Sequence, residues 1–140
     1  GGRLIQLSVF GDEPNIVQTA HEERTLLTLK RADITDRMIE IEVGRNLSLR
    51  VASMQASGLI PNYEASMGKA FSTELRQRAA RTGTKVFGLF GNLWPGDERA
   101  PLGGEFATSY CRTVGYTIYG GSSEIQRNVI ATRGLGLPRG

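Results

Sequence analysis

The sequence predicts an all-α fold, an antiparallel four-helix bundle, and three observations carry that expectation. Apolar residues recur at helical spacing from Ile34 to Met54 and again from Ala65 to Val86. No stretch sustains a two-residue alternation between turn dipeptides, so strands have no signal. Breakers fall at helix-length intervals: Gly11-Asp12-Glu13-Pro14, Gly58-Leu59-Ile60-Pro61-Asn62, the Gly- and Pro-rich stretch 88–104, and Gly120-Gly121.

Taken in order, residues 3–10 form an apolar piece that reads as the end of a helix. Pro14 suits the first turn of the next one, from Asn15 to about Lys30, which is helix-like but polar. A second signal runs from Ala32 to Ala56, with Ile34, Met38, Ile41, Leu47, Leu49, Val51 and Met54 on a broad apolar face. No Gly or Pro forces a break between Asn15 and Gly44, so the region 15–56 reads as one long helix or two. Residues 1–31 are therefore assigned to a linker or partial helix and 32–140 to the bundle. Asn62 is the expected N-cap of a helix from Tyr63 to about Phe87, with Glu64 in its first turn. Residues 88–104 read as loop, Glu105 to Ile118 as a helix, and Ser123 to Leu135 as the last one. The expected core is Ile34, Met38, Ile41, Leu47, Phe71, Leu75 and Val129.

Length and composition bound the function. The 140 residues are enough for one domain with a core, and 39% hydrophobic with 22% charged is ordinary for a globular chain. No apolar run approaches the roughly 20 residues of a membrane span, and no secretion signal is visible. One cysteine, Cys111, excludes an internal disulfide, and one histidine, His21, excludes a His-rich metal site. Together these predict a cytoplasmic setting. In a helix, Cys111 is expected to be a buried small hydrophobe. The net charge is +3, but the basic residues are spread without interleaved aromatics, so nucleic acid is not an expected partner.

The most informative stretch is Tyr119-Gly120-Gly121-Ser122-Ser123-Glu124-Ile125-Gln126-Arg127-Asn128, which runs on to Leu135-Gly136-Leu137-Pro138-Arg139. Two glycines allow close approach of the backbone to another group. Ser123 with Gln126 three residues later reads as a capping box. Helix-start amides carry unpaired donors and suit a phosphate or a ribose edge. Glu124 in the first turn is explained equally by the helix dipole and by a ribose hydrogen bond.

This string resembles the carboxy-terminal signature of the acyl-CoA dehydrogenases, Tyr-(Glu or Gly)-Gly-(Thr/Ser)-x-(Glu/Gln)-Ile-Gln-Arg, and the Leu-Gly-Leu-Pro-Arg ending agrees as well. The run Ser66-Met67-Gly68-Lys69-Ala70-Phe71 is similar to a pattern on a helix of that family's terminal bundle. The resemblance covers about residues 34–139, and it is specific at 119–139. It implies a flavoprotein using FAD for α,β-dehydrogenation of an acyl-CoA thioester, of fatty-acid or steroid type. An electron-transfer flavoprotein would drain the electrons, and the protein would be a homo- or hetero-oligomer. It places Gly121, Ser122, Ser123, Glu124, Lys85 and Gly88 at the cofactor. It further implies that the flavin and substrate domains precede residue 1, so that these 140 residues alone are inactive.

Three departures qualify that expectation. Many relatives carry the catalytic Glu where this chain has Gly120, so no catalytic residue is expected here. The base would come from a missing segment, or the chain would be a subunit without one. Where the family has Arg-x-x-Phe-Gly, this chain has Leu7 before Phe10-Gly11. Where it has Gln-x-x-Gly-Gly, this chain reads Lys85-Val86-Phe87-Gly88-Leu89, and a lysine there could meet a flavin pyrophosphate as a point charge. The rival expectations are a non-catalytic subunit that binds a partner's flavin and a plain helical interaction module.

Overall fold

The structure is a computed structural model that describes the backbone of residues 16–139 and the side chains of residues 27–139. Expectations placed on residues 3–14, among them Phe10-Gly11 and Pro14, and on the side chain of His21 lie outside the described residues. Four α-helices follow one another: α1 (Ile16–Ala56), α2 (Tyr63–Phe87), α3 (Glu105–Tyr116) and α4 (Ser123–Val129). No strand occurs among the described residues, and no described helix is long and apolar enough to cross a membrane. The chain clusters into two compact units, Gly1–Asp33 and Ile34–Gly140. The bundle belongs to the second.

Residues 16–56 form one helix of 41 residues, not two. It ends in a Schellman motif. Gly58 takes φ +74°, its amide donates to Gln55 O (3.0 Å), and the Leu59 amide donates to Met54 O (2.9 Å). The start of α2 corrects the sequence reading. Asn62 makes no side-chain cap. The buried Glu64 carboxylate reaches back and accepts from the Asn62 amide (3.3 Å). Its pKa lies below the ordinary carboxylate range, chiefly through a hydrogen bond from its own backbone amide.

Helix α2 is the centre of the unit, and the contacts along it run antiparallel to each neighbour. Glu40 meets Arg78 (3.0 Å), while Gly44, further along α1, meets Phe71 and Leu75, earlier on α2. Against α3, Gly83 meets Phe106 and Gln77 meets Thr113. Against the last helix, Glu74 meets Arg127 (2.6 Å), and Tyr63 meets Gly134.

The buried residues of α2 are mostly small: Ser66, Ala70, Ala80 and Gly83, with Leu75 and Glu64. Small side chains let the helices approach closely, so the core is thin and no large side chain is fully buried. This corrects the expected core. Leu75 is buried, and Leu47, Phe71 and Val129 are half-buried. Ile34, Met38 and Ile41 are 42%, 64% and 53% exposed. Ile39, Val43 and Leu49 of α1 are exposed as well, so that helix is apolar around much of its circumference. Such a pattern marks a helix built to be covered on more than one side. Cys111 is exposed, not buried; α3 meets α2 through Phe106 and Thr113, on the opposite side of its axis.

The stretch 88–104 is more ordered than a plain loop. It holds two 3₁₀ turns, Gly88–Asn92 and Pro101–Gly104. Gly104 has φ +80°, and a Cβ there would sit 2.5 Å from Pro95 N, so no other residue fits. Helix α3 stops at Tyr116, two residues before the expected Ile118. Helix α4 passes at Ile130 into one π turn, Ile130–Gly134, so only part of the expected final helix is regular.

Two predictions follow from this packing. A Cβ at Gly83 would overlap the Phe106 ring, so Gly83→Ala should destabilise the protein by about 1–3 kcal/mol through overpacking. The melting temperature should fall by several degrees, and Phe106→Leu in the same chain should recover part of the loss. A Gly83→Ala variant melting at or above the parent would contradict the packing. In the loop, the Arg99 guanidinium hydrogen-bonds Asp97 (3.0 and 2.8 Å) and lowers its pKa from 3.8 to about 2, with help from the Arg99 amide. Because the folded value is depressed, the pair contributes fully above pH 3.8 and is lost as pH falls through about 2. A carboxyl-carbon NMR titration should place the Asp97 midpoint near the lower value, and a midpoint at the ordinary one would contradict the ion pair.

Candidate functional site

The Gly-Gly signature forms the turn between α3 and α4. After Tyr116 the chain keeps turning, and the amides of Ile118 and Tyr119 both donate to Gly115 O (3.0 and 3.1 Å). Gly120 and Gly121 then take φ of +65° and +90°. A Cβ at Gly120 would meet nothing within 4 Å, whereas one at Gly121 would lie 2.5 Å from Gln126 Nε2. The Ser123 amide donates to Thr117 O (3.0 Å) and closes the turn.

The cap differs from the expected box. Ser122, not Ser123, is the N-cap; it is extended, and its Oγ accepts from the Ile125 amide (3.4 Å). The positive-φ stretch ends at Gly121, so Ser122 is the first residue to become extended and the helix begins one residue earlier than that box implies. Gln126 does turn back, but as a donor, giving Nε2–H to Gly120 O (3.2 Å) and Gly121 O (3.4 Å). The helix-start amides are thus engaged: Ser123 with Thr117 O, Ile125 with Ser122 Oγ, and Gln126 with Ser122 O (2.9 Å). Glu124 is held below the ordinary carboxylate range, first by the Ser122 hydroxyl and then by its own amide.

Helix α2 holds the turn from below. Lys69 Nζ donates to Tyr116 O (3.1 Å) and Gly121 O (2.8 Å). Gln77 Nε2 donates to Thr113 O and Thr117 Oγ1, each at 3.3 Å. Glu74 pairs with Arg127 of α4 (2.6 Å). Arg76 stacks over the Tyr116 ring at 5.3 Å. Sequence reasoning missed Lys69 and Gln77 as supports. The available signal was spacing, since 69, 73 and 77 lie one above another on the same helix face.

Three consecutive amides, those of Gly120, Gly121 and Ser122, find no acceptor among the described residues. Successive free amides around left-handed glycines are suited to an anion or a polar ligand edge. Next in the chain, Ser123 lines a cleft of about 430 Å³ between α2 and α4, with Gln77, Arg78, Arg81 and Arg127 and the carboxylates of Glu74 and Glu124 around it. Ser123 is 6% exposed, and its Oγ has no hydrogen-bond partner. Arg78 and Arg127 are ion-paired, and Arg81 makes no ion pair among the described residues. An orphaned hydroxyl, an unpaired guanidinium and three free amides are a donor set that fits the phosphates or ribose of a dinucleotide. The helix-start amides that the sequence suggested have partners within the turn, and the unengaged amides lie just before them. Lys85 and Gly88 are exposed and lie elsewhere. Lys85 stands more than four turns beyond Lys69 on α2, about 24 Å at the helical rise, so one pyrophosphate cannot meet both places.

The family model for the acyl-CoA dehydrogenase C-terminal domain matches residues 26–135. Acyl-CoA dehydrogenase IpdE1 of Mycobacterium tuberculosis is 63% identical over 35 residues, which are 25% of this chain and 9% of that protein. Acyl-CoA dehydrogenase FadE26 of the same organism is 36% identical over 76 residues, 54% of this chain and 19% of that protein. Among solved structures, a chain of the Tcur3481-Tcur3483 steroid ACAD superposes with a TM-score of 0.77 and 26% identity, covering 89% of this chain and 33% of that one. A chain of the ChsE4-ChsE5 complex from Mycobacterium tuberculosis gives 0.74 and 29%, covering 79% and 29%. The matched region is therefore a third or less of each relative's length. By the family match over most of its residues, the chain belongs to the acyl-CoA dehydrogenase family, as its C-terminal helical domain.

Proposed function

We propose that this chain is the helical domain of an FAD-dependent enzyme that dehydrogenates an acyl-CoA thioester across its α and β carbons. Family membership supports the reaction class. The single observation that carries the cofactor reading is the turn at 117–123, whose glycines leave three amides unengaged beside the orphaned Ser123 hydroxyl. In this reading Gly120, Gly121, Ser122 and Ser123 hold the polar part of FAD, with Glu124 on a ribose edge and Arg81 adding positive charge from α2. Lys85 and Gly88 serve a separate part of the cofactor, or a second one. When bound, FAD supplies the acceptor for the β-hydride, and an electron-transfer flavoprotein then takes the electrons.

Gly120 offers no group that accepts a proton, so the α-proton leaves to a base outside this domain. That observation also favours the second reading, a subunit or domain without its own base that completes a partner's flavin site. Two features support assembly with other domains or subunits, identical or not. The apolar residues of α1 are exposed on several sides, and both structural relatives named above are two-protein assemblies. A steroid acyl group as substrate is supported by the printed description of one of those relatives. The lone Cys111 is in keeping with a reducing cytoplasm.

The test uses the natural polypeptide that carries this domain, with its partner where it has one. Ser122→Val with Ser123→Val removes both hydroxyls and should weaken the helix cap by about 1 kcal/mol. Bound FAD, read by absorbance after gel filtration, should fall while helical circular dichroism is kept. Retention of FAD at the parental level would remove this turn from the cofactor site. Gly120→Glu should fold, since no atom obstructs a side chain there. It should cost about 1–2 kcal/mol for a left-handed non-glycine residue. The 140-residue chain alone should show no acyl-CoA oxidation in a dye-reduction assay, and turnover above a heat-killed control would contradict this division of labour.

A further inference from the structure

We infer that Lys69 is a positioning residue for the flavin turn: its ammonium, not packing, holds Gly120 and Gly121 in the conformation that leaves their amides free. What the turn serves rests on the flavin reading above; the clamp itself does not. The two carbonyls that Lys69 engages, Tyr116 O and Gly121 O, bracket the turn from either end. Tyr116 O lies at the C-terminus of α3, the negative end of its dipole, where a cation is favoured. Both bonds are charge-assisted, and such bonds are about twice as strong as neutral ones. The neutral Gln126 amide reaches the same Gly121 oxygen at 3.4 Å, against 2.8 Å for Lys69.

The other supports of the turn are neutral: hydrogen bonds from Gln126, Gln77 and the Ser123 amide, and the Tyr119 ring edge-on to Tyr116 at 5.5 Å. Ile118 and Tyr119 are 64% and 61% exposed, and the two glycines have no side chains to pack. Consecutive glycines at positive φ are also the positions with the most freedom to lose. Lys69, by contrast, is half-buried on the central helix beside the buried Ala70. It makes no ion pair among the described residues. A lysine used for ordinary surface pairing would have a carboxylate; this one gives its donors to backbone carbonyls 47 and 52 residues away in sequence. The clamp also accounts for the Ser66–Phe71 run singled out in the sequence, of which the cofactor site itself uses no residue.

The experiment compares the parent, Lys69→Met and Lys69→Arg in the natural polypeptide with its partner. Lys69→Met keeps most of the volume and removes the charge, and Lys69→Arg keeps a cation within reach of the same carbonyls. Hydrogen exchange is followed in peptides covering 117–126 and, separately, 63–87, with FAD content read on the same samples. Lys69→Met should raise exchange in 117–126 by about 10- to 100-fold, as expected for losing bonds to a charged donor. Exchange in α2 should stay at the parental rate, and FAD should be lost. Lys69→Arg should keep the turn protected and the flavin bound. Parental exchange in the Lys69→Met turn would overturn the inference. So would a Lys69→Met protein that fails to fold, because Lys69 would then support the whole bundle. So would a Lys69→Arg turn as labile as that of Lys69→Met. A parent that binds no FAD defeats the flavin reading instead, and the exchange data alone then decide the clamp.

Discussion

The ammonium of Lys69, shared between Tyr116 O and Gly121 O, sets the register between the end of α3 and the start of α4. Everything at the site is built outward from that contact. With the two carbonyls tied to α2, the chain must reverse through Gly120 and Gly121 at positive φ. The first residue able to become extended again is Ser122, which therefore caps α4. The Ser123 amide is then placed on Thr117 O, and its hydroxyl is buried without a partner. Three amides earlier in the turn remain available. The proposed ligand-facing arrangement thus arises from backbone geometry, supported by side chains of α2.

The energetic character of the bundle is consistent with a part of something larger. Its interfaces around α2 are made by Ala70, Ala80, Gly83 and Ala107, which permit close approach but bury little apolar area each. Polar links from Lys69, Gln77 and Glu74 supplement that packing where α3 and α4 meet α2. Meanwhile Ile34, Met38, Ile39, Ile41 and Leu49 remain open to solvent. Burying such residues is worth roughly 1.5–3 kcal/mol each, so their exposure is a large reserve for contacts with further domains or subunits. Their distribution around α1 explains why one apolar face read from the sequence misidentified the core.

The helices, their order and the position of the Gly-Gly turn were legible in the sequence, because helical periodicity and glycine or proline punctuation report local physics. The caps were less legible. Asn62 has the right chemistry for an N-cap, yet the buried Glu64 carboxylate does that work, a choice made by burial that spacing cannot reveal. Ser122 and Ser123 are chemically identical, and only the φ of the two glycines decides which one caps. Lys69 was visible as part of a motif but not as a clamp, because its partners are backbone carbonyls about 50 positions away. Lys85 and Gly88 look adjacent to the site in motif order, and the length of α2 separates them from it.

In the proposed site the amides of Gly120, Gly121 and Ser122, not the start of α4, face the cofactor. Residue-resolved amide exchange of the natural protein, with and without bound FAD, tests it directly. Flavin should slow exchange at Gly120, Gly121 and Ser122 and leave Ser123 and Gln126, already bonded to Thr117 O and Ser122 O, unchanged. Protection appearing at Ser123 and Gln126 alone, with the three earlier amides unaffected, would contradict it.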